Sequence, residues 1–266
     1  MKIAFIGGGN MGEAMLAAAL EKGLSAPTDI SVGEIREERR RQLKERYGVT
    51  VTASNKEAVL GKDVVVLAVK PQGLTEVMAE LNGSFESVQL VLSIIAGAKI
   101  SSLCQGLGHN RVVRAMPNTP AQVGAGISAW AATADVSFEQ REQARSILTT
   151  LGREINCDDE KYLDMATAVS GSGPAYFFLF VEYLVDAAED IGLTRDTAEE
   201  LVLQTMLGSA RLLQESGKTP VELRRNVTSP GGTTASAMEV LTEGRFAELI
   251  KEAVRAAYNR AQELGS

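Results

Sequence analysis

The sequence predicts an α/β fold in its first part and an all-helical fold in its second part. Three observations support this division. Short apolar runs alternate with helical patterns through residues 1–158, a glycine-rich turn follows the first apolar run, and the strand pattern stops after Asp158. Alternating strands and helices are typical of a parallel sheet covered by helices. We therefore expect one domain at residues 1–158 and a helical domain at residues 159–266.

The predicted strands of the first domain are the runs KIAFI, DISV, VVVLAV, LVLSII and RVVRAM. Helical patterns follow the first four of these runs, at residues 10–22, 36–47, 74–81 and 100–107. GISAWAA and GREINCD are typical of two further strands, with a helical pattern between them at residues 138–151. This order predicts βαβ units that build a doubly wound sheet.

The second domain is predicted from its most apolar helix. Pro174 follows SGSG, and proline is common in the first turn of a helix, so we expect the helix to begin there. Residues 175–185 are apolar almost all round, which requires cover on every side. In a domain of this size the expected cover is a second copy, so we predict a homodimer. Four further helices are expected before the chain ends.

Composition argues against several classes of partner and site. The chain has 266 residues and a net charge of -7 at pH 7, so its surface should repel nucleic acid and anionic membranes. Cys104 and Cys157 lie far apart and His109 is the only histidine, so no metal site is expected and both thiols should be reduced, in a cytoplasmic protein. The apolar stretch at residues 175–181 is too short to cross a bilayer.

Gly7, Gly9 and Gly12 form the pattern GxGxxG between the first strand and the first helix. In this position the pattern provides a tight turn, lets the backbone approach a pyrophosphate and directs a helix N-terminus at negative charge. The alternative is a glycine-rich turn that binds nothing. The βαβ units that follow favour a Rossmann-type dinucleotide site.

The end of the second strand leaves the choice of cofactor open. Glu34 lies about 20 residues after Gly12, where a carboxylate binds the ribose hydroxyls of NAD. Arg36, Arg39 and Arg40 follow, and any of them could bind the 2′-phosphate of NADP. They could equally form the solvated start of a helix. NADPH and NADH are therefore both possible cofactors.

Other strand ends should meet at the same crevice, because ligands of such sheets bind beyond the carboxyl ends of the strands. Lys70 and Pro71 follow one strand, and Ala96 and Gly97 follow the next. The loop RAMPNTPA places Asn118 between two prolines, and we expect this rigid loop to contact a substrate. Lys70 could also be an ordinary surface lysine.

Five motifs in order, GGGNMG, AVKPQ, RAMPNTPA, AVSGSGPAYFF and VTSPGGTT, together resemble the pyrroline-5-carboxylate reductase family along essentially the whole chain. The resemblance implies an oxidoreductase that uses NADPH or NADH to reduce 1-pyrroline-5-carboxylate to L-proline, the last step of proline biosynthesis. It also implies a helical dimerisation domain that interlocks with its twin, and rings of dimers as a larger assembly.

The resemblance also implies the site residues. Cofactor contacts would be Ile6, Gly7, Gly8, Gly9, Asn10, Met11, Asn55, Ala68, Val69, Lys70, Pro71, Ile95, Ala96 and Gly97, in addition to Gly12, Glu34 and Arg36. Substrate contacts would be Ser229, Gly231, Gly232, Thr233 and Thr234, contributed at the dimer interface, with the catalytic hydroxyl of Thr234 meeting the ring nitrogen. Family members carry serine or asparagine with arginine where this chain has Glu34-Ile35-Arg36.

The segment NVTSPGGTTA could be a linker, a turn in which Thr233 or Thr234 caps the next helix, or a binding site. Backbone N–H groups of Gly232, Thr233 and Thr234 at a helix start could bind a carboxylate. An iminium substrate needs no strong protein acid, which suits a chain with one histidine.

Two other functions remain open at this point. A 3-hydroxy acid dehydrogenase would need a catalytic lysine, and Lys161 is the only lysine of the helical domain before Lys218. A non-catalytic dinucleotide-sensing protein would need no anion site.

Overall fold

The computed structural model describes residues 1–265, which form two compact units. The first unit contains Met1–Pro174 and residues 257–265, and the second contains Ala175–Ala256. Each unit has its own buried apolar residues.

One eight-stranded sheet forms the centre of the first unit. The strands are β1 (Ile3–Ile6), β2 (Ile30–Gly33), β3 (Thr50–Thr52), β4 (Val64–Leu67), β5 (Leu90–Ser93), β6 (Val112–Met116), β7 (Gly126–Ala132) and β8 (Gly152–Asn156). Their order is β3-β2-β1-β4-β5-β6-β7-β8. All neighbouring pairs are parallel except β6 and β7. The predicted doubly wound α/β fold is confirmed, although β3 and the antiparallel direction of β7 were not predicted.

The helices of the first unit cover both faces of this sheet. They are α1 (Asn10–Glu21), α2 (Glu37–Tyr47), α3 (Asn55–Val59), α4 (Leu74–Leu81), α5 (Ile100–Leu107), α6 (Phe138–Thr149) and α7 (Lys161–Ala166). Along β1, Ile3 and Phe5 belong to one apolar cluster, whereas Ala4 and Ile6 belong to the other. A strand buried on both faces needs apolar residues at every position, which explains the continuous apolar runs in the sequence.

The long helix around Pro174 differs from its prediction. Pro174 does lie in the first turn of α8 (Gly173–Asp190), but the helical run already begins with α7 and continues through a π-helical turn at Thr167–Gly171. In that turn the Ser172 N–H donates to the Thr167 carbonyl at 2.7 Å. The wider turn accommodates a proline inside a helical run, where a regular α-helix would bring its ring against a carbonyl.

An ion-pair cluster joins α7 to the sheet of the first unit. Arg114 on β6 is 3% exposed, and it donates to Glu160 at 2.7 Å and to Asp164 at 2.9 Å. These contacts fasten α7 to the sheet, within the compact unit that extends to Pro174. The domain boundary between residues 158 and 159 stays a prediction.

The second unit contains most of α8, α9 (Arg195–Glu215), α10 (Pro220–Asn226), α11 (Thr233–Glu243) and the start of α12 (Phe246–Leu264). Large apolar side chains of α8 are exposed, namely Phe177, Phe178, Leu179, Phe180 and Tyr183. Lys161–Asp190 is long and apolar enough, by length and composition, to span a membrane, which the shorter stretch at residues 175–181 did not indicate. Exposed apolar side chains clustered in this way mark an interaction surface.

Candidate cofactor and substrate site

The glycine-rich turn lies between β1 and α1. Gly7 has φ +102°, and its N–H donates to the Gly33 carbonyl at 2.8 Å. A side chain at Gly7 would come within 2.8 Å of the Ala68 carbonyl oxygen, and one at Gly12 would overlap the Gly7 carbonyl oxygen. These two glycines therefore allow the turn, the helix and β4 to lie close together.

Gly9 has a different environment, because a Cβ atom built there would meet no atom within 4 Å. Gly9 is the N-cap of α1 and makes no side-chain cap. The N–H groups of Asn10, Met11 and Gly12 follow it and have no acceptor within the helix. Open space beside free N–H groups at the positive end of a helix fits the pyrophosphate of a dinucleotide.

Glu34 follows β2 directly and turns its side chain toward the glycine-rich turn. Its Oε2 atom accepts from the Gly8 N–H at 3.0 Å, and its Oε1 atom accepts from the Arg36 N–H at 3.0 Å and from Arg36 Nε at 3.1 Å. Burial by itself would raise the pKa of Glu34, but the hydrogen bonds from Arg36 and Gly8 outweigh it and lower the pKa below its ordinary value. The carboxylate is therefore charged at neutral pH.

The loops after β4 and β5 lie beside this turn, since β2, β1, β4 and β5 are consecutive strands of the sheet. The Ala68 N–H donates to the Ile6 carbonyl at 2.8 Å, and Val69, Lys70 and Pro71 continue from there. The structure thus brings most of the predicted cofactor contacts to one edge of the sheet. They are the glycine-rich turn (Ile6, Gly7, Gly8, Gly9, Asn10, Met11 and Gly12), Glu34 and Arg36 after β2, Ala68, Val69, Lys70 and Pro71 after β4, and Ile95, Ala96 and Gly97 after β5.

A contact that the sequence did not indicate supports the loop after β5. The backbone of Leu264, at the end of α12, lies so close to Gly97 that a Cβ atom there would come within 2.7 Å of the Leu264 carbonyl oxygen. No local pattern could have revealed a contact between residues so distant in sequence.

Two predicted ligand contacts have side chains engaged within the protein. Asn55 is buried and donates from its backbone N–H and from Nδ2 to the carboxylate of Glu80, at 2.8 and 2.7 Å. The Oδ1 atom of Asn118 accepts from the Ile127 N–H at 2.9 Å, which fixes its loop against β7. These hydrogen bonds give both side chains a structural role. The binding roles of Asn55 and Asn118 remain predictions.

The segment SPGGTT forms the start of α11. Gly231 has φ +70°, and Gly232 is the N-cap residue without a side-chain cap. The reading in which Thr233 or Thr234 caps the helix is therefore wrong, because both lie inside its first turn. The Gly232 N–H donates to the Ser229 carbonyl at 3.1 Å, so only Thr233 and Thr234 of the predicted trio keep free N–H groups for an anion.

The single histidine and the two cysteines lie outside these loops. His109 is buried, with Nε2 at 2.8 Å from the Gln89 carbonyl oxygen, and its pKa is lowered mainly by burial. Cys104 and Cys157 are partly buried free thiols, and burial raises the pKa of each. Among residues 1–265 no group of His, Cys, Asp and Glu side chains could hold a metal ion.

Comparison with known proteins agrees with this arrangement. Residues 160–264 match the family model "Pyrroline-5-carboxylate reductase dimerisation", and residues 2–97 match "NADP oxidoreductase coenzyme F420-dependent". A pyrroline-5-carboxylate reductase of Synechocystis is 44% identical over 265 residues, covering 100% of this chain and 98% of the relative. That of Pseudomonas aeruginosa is also 44% identical, covering 99% and 96%.

Solved structures give the same result. The pyrroline-5-carboxylate reductase of Coxiella burnetii has a TM-score of 0.91 at 42% identity, covering 100% of this chain and 98% of that one. The Plasmodium falciparum pyrroline carboxylate reductase with NADP bound has a TM-score of 0.91 at 31% identity, with the same coverage. Full-length similarity sets aside the hydroxy acid dehydrogenase and the dinucleotide sensor. The chain belongs to the pyrroline-5-carboxylate reductase family and is an NAD(P)H-dependent oxidoreductase with a dimerisation domain.

Proposed function

We propose that this protein reduces 1-pyrroline-5-carboxylate to L-proline, with the nicotinamide cofactor bound at the glycine-rich turn and the substrate carboxylate at the start of α11. The observation that carries the substrate assignment is the N-terminus of α11. Gly232 caps it without a side chain, so the N–H groups of Thr233 and Thr234 are free for an anion. Ser229 and Gly231 shape the turn that presents them.

The helix start suits a small carboxylate because it offers positive charge without a cationic side chain. Thr234 is half-buried and Thr233 is exposed. We assign the Thr234 hydroxyl to the ring nitrogen of the substrate, with which it can exchange a hydrogen bond.

The reaction needs no strong acid from the protein, because the substrate nitrogen is already protonated. NADH or NADPH held at the glycine-rich turn would supply a hydride to the carbon of the protonated C=N bond. The electron pair of that bond then stays on nitrogen, which keeps its proton and becomes the amine of proline. The residues of the site therefore need only bind and orient the substrate.

The exposed apolar side chains of α8 support a homodimer, because they lie within the residues that match the dimerisation model. We extend the proposal to a ring of dimers as the larger assembly. A cytoplasmic location fits the free thiols Cys104 and Cys157, which an oxidising compartment would tend to pair.

The decisive experiment measures oxidation of NADH and of NADPH by the purified protein with 1-pyrroline-5-carboxylate. No oxidation above the rate without protein, with either cofactor, would reject the proposed reaction.

The role of Thr234 is tested with Thr234→Ala. Loss of one hydrogen bond to a charged group costs about 1.5–3 kcal/mol, so kcat/KM should fall about 10- to 150-fold while cofactor affinity is nearly unchanged. Ser236→Ala is the matched control, because it removes an exposed hydroxyl from the same helix. A tenfold loss of cofactor affinity in Thr234→Ala with normal substrate kinetics would contradict the assignment.

A further inference from the structure

We propose that Glu34 makes this enzyme selective for NADH over NADPH, because its carboxylate occupies the region where the 2′-phosphate of NADPH would have to bind. The inference rests on the proposed function, since it concerns the cofactor of that reaction. It goes further by assigning the choice between the two cofactors to a single side chain.

The position of Glu34 is fixed by the sheet. Its N–H donates to the Thr52 carbonyl at 3.0 Å, immediately after β2 ends at Gly33. Its side chain is 7% exposed and reaches the Gly8 N–H in the turn that follows β1. In a dinucleotide site of this topology, an acidic residue at the end of the second strand accepts hydrogen bonds from the ribose hydroxyls.

Charge is the reason for the selectivity. The carboxylate of Glu34 is ionised at neutral pH, and its two oxygens are held in place by Gly8 and Arg36. A phosphate monoester carries about -1.5 to -2 charges at the same pH. Like charges a few ångströms apart repel each other strongly in a partly buried site. A ribose hydroxyl, in contrast, can donate to the carboxylate.

Each of the neighbouring arginines already has a partner within the chain. Arg36 pairs with Glu34 itself, with Nε at 3.1 Å from Oε1. Arg40 Nη1 donates to the carbonyls of Glu34 and Ile35, at 2.7 and 2.8 Å. A 2′-phosphate would have to compete with these partners for the guanidinium groups.

Arg39 is the most fully engaged of the three. Its Nε donates to the Gly8 carbonyl at 2.7 Å, its Nη1 donates to Gln42 at 3.2 Å, and its Nη2 forms an ion pair with Glu13. Glu13 also accepts from the Tyr47 hydroxyl at 2.9 Å. Arg39 therefore fastens α2 to the glycine-rich turn.

The test is the variant Glu34→Gln, which removes the charge and keeps the size of the side chain. Binding of NADH and of NADPH is measured by titration calorimetry without substrate, and kcat/KM is measured with each cofactor. We expect wild-type protein to bind NADH at least about 10-fold more tightly, and Glu34→Gln to reduce this ratio about 10-fold or more. Glu38→Gln, which removes an exposed charge from the first turn of α2, should leave the ratio within about 2-fold.

Two results would overturn the inference. One is wild-type protein that binds NADPH as tightly as NADH or more tightly, and the other is a ratio that Glu34→Gln leaves unchanged. If Glu34→Gln fails to fold, Arg36→Ala replaces it. Retained NADH selectivity in Arg36→Ala supports the inference, whereas specific loss of NADPH binding contradicts it by showing that Arg36 binds the phosphate.

The binding measurement separates this inference from the proposed function. Selective NADH binding without turnover of 1-pyrroline-5-carboxylate would reject the reaction and leave the role of Glu34 standing. Turnover at equal efficiency with both cofactors would support the proposed reaction and reject the role of Glu34.

Discussion

Replacement of Gly9 by alanine should abolish most cofactor binding while the protein stays folded. Gly9 has φ -70° and ψ -176°, a conformation that alanine adopts readily, and its Cβ would meet no protein atom within 4 Å. Alanine is a poorer N-cap than glycine, so the free energy of unfolding should fall by about 0.5–1 kcal/mol. In a chain of this size that corresponds to a loss of about 1–4 °C in Tm.

The effect on the cofactor should be much larger. The added methyl group would stand in the open space through which we expect the pyrophosphate to approach the N–H groups of α1. Loss of one hydrogen bond to a charged group costs about 1.5–3 kcal/mol, or about 10- to 150-fold in Kd. Calorimetric titration with NADH gives the Kd, and thermal unfolding followed by circular dichroism gives the Tm.

Gly12→Ala is the matched comparison, because the same methyl group would there overlap the Gly7 carbonyl oxygen. Separating α1 from the turn should cost about 1–3 kcal/mol of stability, so this variant should lose both Tm and affinity. The reasoning is refuted if Gly9→Ala binds NADH as tightly as wild-type protein does. It is also refuted if the two variants lose stability equally.

Three further predictions follow from other parts of the fold. Gly232→Val should crowd the Ser229 hydroxyl and the start of α11, and weaken binding of proline, the product of the proposed reaction, at least about 10-fold with the NADH Kd unchanged. Unaltered proline binding would make the segment a linker. Arg114→Met should leave the carboxylates of Glu160 and Asp164 without their ion-pair partner and lower the free energy of unfolding by about 3 kcal/mol. The control Arg145→Met removes an exposed arginine and should cost less than about 1 kcal/mol. Equal losses in denaturant titrations would contradict the stabilising role of the Arg114 ion pairs. The pKa of buried His109 is lowered, so as the pH falls through about 6.5 the unfolded chain binds a proton before the folded chain does. The free energy of unfolding of the wild-type protein should therefore fall below that pH by up to about 1.4 kcal/mol per pH unit. His109→Gln should lack this pH dependence, and a pH dependence that persists in the variant would show that another group causes it.

Much of the first unit could be predicted from local sequence. Buried parallel strands require continuous apolar runs, and GxGxxG between a strand and a helix has few other uses, so β1, α1 and the cofactor edge could be located from their residues alone. The helices from residue 159 onward were also predictable as helices. The apolar pattern of α8 indicates a partner from the sequence alone.

Features that depend on distant contacts could not be predicted in this way. The direction of β7 depends on its pairing with β6, and the π-helical turn before Pro174 has no distinct periodicity of its own. The Gly232 N–H was predicted to bind substrate, but it closes a hydrogen bond to Ser229 inside the turn. Chain geometry decides which N–H groups remain free, and residue type does not.

For Glu34, too, the sequence predicts one part of the functional role and the tertiary structure decides the other. Its place about 20 residues after Gly12 predicted a choice between a carboxylate that binds ribose and arginines that bind phosphate. Sequence by itself determined that both kinds of side chain stand at the end of β2. Only the tertiary structure decided how they are paired, because the bonds of Glu34 to Gly8 and of Arg39 to Gly8 and Glu13 join elements far apart along the chain. Local periodicity carries no information about such bonds, since they form only when the sheet has brought β1, β2 and α2 together.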